Sequence, residues 1–374
     1  MTDSSQTMPV PPHILPRTAA FGLCALAVLA VAAMAGPRSG ALLMIGLGFG
    51  LVLEGLRFGF TGPWRRMILQ RDASGLVAQM VCLALVAAAA FPMLAAHPGE
   101  LVGAHAPVGY AMVGGAFVFG ACMQIVLGCG SGTLVNAGSG NLVSAIALPF
   151  FCLGSFFGAY HLVWWTELGA LPVAALTGTG GLALTLVLLA SVAGLAMALA
   201  DPGKRAIPAR YWLAAVLLAG LAILHLAVAG QPWGVVYGLG LWVAKGAAAL
   251  GADLSGSAFW SAPANAERLR ESVLTDVTSL TDLGLIAGAA LAAFWRDGLT
   301  GRIADHPARA WVAVVIAGFL LGYSSRLAFG CNIGAFFSGI STGSLHGWAW
   351  FAAAFTGSWY GIQLRPLLGL EARR

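Results

Sequence analysis

From Ala106 to Thr166 the chain contains no Asp, Glu, Lys or Arg. A soluble domain solvates its surface with charged side chains, about a quarter of its residues. Here 9% of 374 residues are charged and 59% are hydrophobic. That shortage excludes a soluble enzyme, a nucleic-acid-binding protein and a disordered chain. A β-barrel is excluded as well, because barrel strands alternate polar and apolar residues over about 10 positions. These apolar runs are unbroken and helix-length, so the expected fold class is an all-α polytopic membrane protein. The net charge of +5 then reads as Lys and Arg in cytoplasmic loops.

About 20 apolar residues cross a bilayer as a helix. Ten runs meet that length approximately: 18–36, 41–57, 75–96, 108–128, 143–164, 176–199, 211–229, 277–295, 310–329 and 345–364. Between them lie four apolar, Gly-rich stretches that are too irregular for lipid-facing helix, at 58–72, 129–142, 233–262 and 331–344. Broken backbone at membrane depth must be buried in protein or line a cavity. These stretches are therefore the expected pathway, as re-entrant broken helices.

Charge sets the expected orientation. Arg57, Arg65, Arg66 and Arg71 occupy one loop, Lys204, Arg205 and Arg210 a second, and Arg296, Arg302 and Arg309 a third; Arg373 and Arg374 end the chain. The loops 97–107 and 165–174 hold no Lys or Arg. The first group reads as cytoplasmic and the second as periplasmic, with both termini inside.

The chain also repeats itself. Gly120, Gly128, Cys129 and Gly132 match Gly322, Gly330, Cys331 and Gly334 without a gap. After one inserted residue, Gly140, Leu142, Gly154, Ser155 and Gly158 match Gly343, Leu345, Gly357, Ser358 and Gly361. Phe58-Gly59-Phe60 pairs more loosely with Tyr237-Gly238-Leu239. An odd number of spans between the copies makes them an inverted repeat, an arrangement of transporters with a site at the repeat interface. The expected organisation is a polar tail (1–16), an additional helix (17–40), a first repeat (41–199), a basic linker (200–209) and a second, inverted repeat (210–374).

Six cysteines are present: Cys24, Cys82, Cys122, Cys129, Cys152 and Cys331. None forms a CxxC, and no Cys/His group has zinc spacing, so neither metal nor cofactor is expected. A lone buried Cys is usually an apolar filler. Two at equivalent repeat positions, each within glycines that permit a sharp break, point to a function. The expected pathway residues are Cys129 and Cys331 with Gly128, Gly130, Gly132, Gly330, Asn332 and Gly334. Neutral thiols are weak donors, worth under about 1 kcal/mol each, so they let a soft anion pass without holding it. Half-helix N-termini would add positive potential. Weak motifs carry nothing further: Gly46–Gly50 follows no strand, and Gly128–Gly132 lacks the lysine of a phosphate loop.

The segments Leu56–Arg65 (LRFGFTGPWR), Phe119–Asn141 (FGACMQIVLGCGSGTLVNAGSGN) and Ser325–Trp348 (SRLAFGCNIGAFFSGISTGSLHGW) resemble the YeeE/YedE family of bacterial inner-membrane sulfur transporters. The resemblance covers most of 41–370, and the last segment with Gly357–Leu370 is similar to the YedE branch. It implies an hourglass-shaped importer of a small sulfur anion such as thiosulfate. There, central cysteines relay the ion by S–H···S contacts, which implicates Cys129 and Cys331. It also implies a small TusA-type sulfur carrier as a cytosolic partner at the basic loop 57–72. Thiosulfate transporters of the family usually carry a third cysteine where this chain has Gly59. A selenium species, or a redox protein carrying persulfide on Cys129 or Cys331, are the competing readings.

Accessory candidates follow from position. Cys122 lies two helical turns before Cys129 and could share its face. Arg326, five residues before Cys331, could draw an anion toward it. Glu54 is expected to snorkel or pair with Arg57, and His346 sits in the matched segment. Lys245 falls in a broken stretch. His161 and His225 read as hydrogen-bonded packing residues, and Asn136 and Asn141 as partners for freed backbone groups. Glu54, Asp276 and Asp282 are candidate proton sites near predicted membrane edges.

Overall fold

The computed structural model describes residues 17–296 and 306–371. The polar tail 1–16, Arg302, Arg373 and Arg374 lie outside the described residues. Those described form an all-α, multi-pass membrane protein. In chain order the helices are α1 (Arg17–Ala35), α2 (Pro37–Gly55), α3 (Thr61–Gln70), α4 (Ser74–Ala96), α5 (Tyr110–Val126), α6 (Gly130–Gly138), α7 (Leu142–Tyr160), α8 (Leu162–Thr166), α9 (Gly178–Leu199), α10 (Ala209–Ala229), α11 (Val236–Ala249), α12 (Pro263–Arg270), α13 (Val277–Arg296), α14 (Ala308–Leu327) and α15 (Leu345–Leu367). Between α14 and α15, Asn332–Gly339 forms a π-helical segment.

Nine helical stretches among the described residues are long and apolar enough to cross a membrane. Two of them are broken, α5 with α6 and α14 with the π-helical segment. The expected tenth span is present as the 23-residue α15. It is less apolar than the nine, because its three tryptophans and its polar residues lower its hydropathy. The second span begins earlier than expected: Gly36 turns the chain at φ 92° and Pro37 opens α2. Helix α1 is peripheral, exposing Leu23, Leu26 and Leu29. The four irregular stretches are more regular than the sequence suggests. Each contains a short half-helix: α3, α6, α11 or the π-helical segment.

The core is made by glycines that bring helix backbones together, since packing rather than water exclusion drives association in lipid. A Cβ at Gly154 of α7 would strike the Phe319 carbonyl of α14, and one at Gly357 of α15 would strike the Phe117 carbonyl of α5. Gly322 meets the Phe151 carbonyl and Gly120 the Ala354 carbonyl; Gly158 meets that of Tyr323 and Gly361 that of Ala121. Each pair is the repeat image of the other, down to the residue contacted. Contacts advance together along both helices, so α7 runs parallel to α14, α5 to α15 and α2 to α13. The remaining packing follows the same rule: α2 with α13 as α10 with α4, and α7 with α11 as α15 with α3.

Side chains satisfy the backbone where it breaks. Ser155 Oγ donates to the Val236 carbonyl at 2.8 Å and Ser338 Oγ to that of Trp233 at 2.6 Å. Gln79 on α4 holds the break before α3. Its Nε2 donates to the Gly59 carbonyl at 2.9 Å, and its Oε1 accepts the Trp64 indole N–H at 2.9 Å.

Candidate substrate pathway

Both cysteine loops are built the same way. Helix α5 stops at Leu127, with φ 57°, and α14 is followed by Phe329, with φ 55°. A left-handed Leu or Phe costs about 1–3 kcal/mol and persists only where the surroundings impose it. The next residue must be glycine. A Cβ on Gly128 would lie 2.8 Å from Thr133 Oγ1, and one on Gly330 would lie 2.6 Å from the Ala335 nitrogen. The chain then turns extended at Cys129 and Cys331, which cap the half-helices that follow. The Cys129 sulfur accepts the Gly132 N–H at 3.5 Å, and the Cys331 sulfur accepts the Ile333 N–H at 3.4 Å. An accepting sulfur keeps its own hydrogen free to donate. Each thiol also sits at the positive end of a helix.

The loops meet at the centre. Both cysteines are fully buried, and a Cβ on Gly130 would lie 2.8 Å from Cys331 Sγ. Ser131 Oγ stands 3.5 Å from Cys129 Sγ. A vestibule opens on either side. One, of about 420 Å³, is lined by Gly103, His105, Tyr237, Phe259, Arg326 and Cys331 among others, with Gly334. The other, of about 220 Å³, is lined by Glu54, Arg57, Gly59, Arg66, Ser131 and Gly132 among others. Helix α4 begins beside the second vestibule and ends at the loop that carries Gly103. Its 23 residues rise about 34 Å, so the vestibules face opposite sides. The arrangement is two funnels separated by two thiol loops.

Arg326 projects into the Gly103 vestibule. Its guanidinium lies 4.7 Å from the Phe259 ring and 5.7 Å from that of Tyr237. Among the described residues it has no carboxylate partner, and its Nε is buried without a hydrogen bond. The aromatic faces hold the cation and leave its charge for an anion. Asn332 is fully buried beside Cys331, and neither polar atom of its amide has a partner. In the other repeat that position is Gly130.

Several expectations are corrected. Glu54 pairs with Arg296 at 2.5 Å, not with Arg57. Cys122 is buried in the apolar core and lines neither vestibule. His346 is buried, with Nδ1 2.6 Å from Ser344 Oγ, and also lines neither. Lys245 binds the carbonyls of Leu269 and Glu271, bracing α12. Within the basic loop, Arg65 pairs with Glu371 and Arg66 with Asp72. Asp276 caps α13 by accepting the Ser279 N–H at 2.7 Å. Asn136 donates to the Leu127 carbonyl and Asn141 caps Ser144, as expected. His225 lies between Gln231 and Thr281, and His161 against Tyr323. Sequence reasoning missed His105, Tyr237 and Phe259 as vestibule residues. Only the loose Phe58–Phe60 match hinted at Tyr237.

A family model described as "Sulphur transport" matches residues 56–360. The chain belongs to this sulphur transport family. Over 99 residues it is 37% identical to the "Probable transporter YedE" of Escherichia coli, a match covering 26% of this chain and 24% of that protein. The corresponding Salmonella typhimurium protein is 36% identical over 99 residues. The chain thus spans about a quarter of the length of these two relatives. Over 352 residues it is 26% identical to the "Thiosulfate transporter TsuA" of Spirochaeta thermophila, covering 85% of this chain and 96% of that protein.

Proposed function

We propose that this chain imports a small sulfur oxyanion, thiosulfate or a close relative, across the bacterial inner membrane between the two cysteine loops. The observation that carries the reading is the pair of buried thiols, each accepting an amide N–H at a half-helix start, at the meeting point of two opposed vestibules. The Gly103 vestibule is the outer one on this reading, because loop 97–107 lacks basic residues. Arg326 gathers the anion there. The thiols then donate to its sulfur, with Asn332 and the backbone of Gly128, Gly130, Gly132, Gly330 and Gly334 around it. Glycine at these positions keeps the passage wide enough for an ion stripped of water. On the cytoplasmic side, Arg57 and Gly59 stand at the exit, where a TusA-like carrier would collect the cargo. The ion pairs of Arg65 and Arg66 leave that docking face less basic than the sequence suggested.

The test is uptake of radiolabelled thiosulfate into liposomes that hold the purified protein. Native protein accumulates label, and the Cys129→Ala/Cys331→Ala variant does not. Equal uptake by the two would refute the thiol passage. A second cargo has one observation in its favour, Gly59 in place of a third cysteine. Competition by selenium oxyanions at concentrations well below those needed for thiosulfate would move the assignment to selenium.

A further inference from the structure

The repeat places one buried carboxyl group where its counterpart is an amide. Gln79 of α4 touches Gly59 in the break before α3. In the second repeat the matching glycine is Gly238, and the side chain reaching it is Asp282 of α13. A Cβ on Gly238 would lie 3.0 Å from Asp282 Oδ2. Both polar atoms of Gln79 have partners, since Oε1 receives the Trp64 indole N–H and Nε2 donates to a carbonyl. Asp282 is not. The indole N–H of Trp242 goes to Ser279 Oγ at 2.9 Å instead, and both Asp282 oxygens are buried without a hydrogen bond. The side chain is fully buried.

An ionised carboxylate in such a place is strongly disfavoured unless it is paired. Among the described residues no Lys or Arg lies within ion-pair distance of Asp282. The groups around it are Asp276 below it on α13, Cys152 on α7, Cys331 in the constriction, Tyr237 beside Gly238, and His225, which bonds the adjacent Thr281. Asp282 packs against Gly238, the residue that follows Val236 and Tyr237, and those two line the same vestibule as Cys331. An ionised Asp282 therefore opposes any anion at that thiol, and a protonated one does not. Buried ionisable groups within spans mark ion or proton pathways in transporters.

Resting on the anion-import reading, we propose that Asp282 is the proton-binding group that couples anion uptake to inward proton movement. It takes a proton from the Gly103 vestibule, whose wall includes Tyr237, the residue before Gly238. While protonated it lets the anion occupy Cys331. It releases the same proton toward the other side once the anion has passed. No bond other than the carboxyl O–H forms or breaks.

The experiment uses the full chain in liposomes, with thiosulfate as cargo and a trapped pH dye. Native protein should acidify the lumen as thiosulfate enters. An imposed pH difference, acid outside, should raise accumulation about tenfold per pH unit for one coupled proton. The Asp282→Asn variant should keep downhill uptake and lose both effects. Retention of the pH response in Asp282→Asn, or proton-free uptake by native protein, would overturn the proposal. A second measurement needs no cargo. Dicyclohexylcarbodiimide adds to a neutral buried carboxyl as an N-acylurea, and peptide mass spectrometry should find the adduct on Asp282 of the native protein. An unmodified Asp282 would count against the proposal even if Asp282→Asn fails to fold. If native protein moves no thiosulfate, the cargo reading falls, and the adduct still decides whether Asp282 holds a proton.

Discussion

At the residue scale, the pathway depends on what is absent as much as on what is present. Gly59 is the sharpest case. A Cβ added there meets nothing within 4 Å, and the side chain of Gln79 already fixes its carbonyl. The site is thus open for a thiol without any change in backbone. The Gly59→Cys variant should fold normally and speed thiosulfate uptake several-fold, by adding a third donor to the vestibule wall. The measurement is initial uptake rate against that of native protein. An unchanged rate would mean that the third thiol contributes nothing in this chain. Gly130 is the opposite case, because its missing Cβ is the space occupied by Cys331 Sγ. The same residue type therefore leaves room in one loop and allows close approach in the other. The sequence displayed both glycines and could not distinguish these roles, since each depends on a neighbour in another helix or loop, Gln79 for Gly59 and Cys331 for Gly130.

At the element scale, the repeat is a packing device. Glycines on α5, α7, α14 and α15 face backbone carbonyls of partner helices, and overpacking a close contact costs about 1–3 kcal/mol. Gly154→Leu should lower the thermal unfolding midpoint in detergent. Gly194→Leu on α9 is the control and should not, as a Cβ at Gly194 meets nothing within 4 Å. A midpoint unmoved by Gly154→Leu would show that α7 and α14 can separate without penalty. These contacts were legible as a pattern of matched glycines. Helix ends were less so, because Leu127 and Phe329 adopt φ > 0 although neither residue type favours it. Only the loops packed beneath them impose that turn.

At the scale of the whole molecule, the two funnels carry different electrostatics. The Gly103 funnel presents Arg326 backed by aromatic rings, and the repeat-equivalent residue on α5 is Gln124, buried and bonded to Thr61. Arg326→Gln removes this asymmetry. Attraction by a charged cleft raises local ion concentration about tenfold or more and weakens with salt. The variant should therefore need about tenfold more thiosulfate for half-maximal uptake, with the maximal rate little changed. Its dependence on ionic strength should flatten. A fall in maximal rate alone would instead give Arg326 a bracing role between α14 and the α11–α12 region.

The sequence by itself determined that this chain lives in a membrane, that it is built from two copies of one helical pattern, and that two thiols lie at equivalent breaks. These are additive properties of the chain: hydropathy over a span, glycine at a fixed offset, cysteine between glycines. Charge pairing was a matter for the tertiary structure. Glu54 finds Arg296 across 242 positions, Trp242 bonds Ser279 in place of Asp282, and Arg326 is left facing a cavity. A polar side chain within an apolar helix must be satisfied, neutralised or used, because no water is present to solvate it. Which of these happens depends on which helix face packs against it, and only the assembled fold decides that.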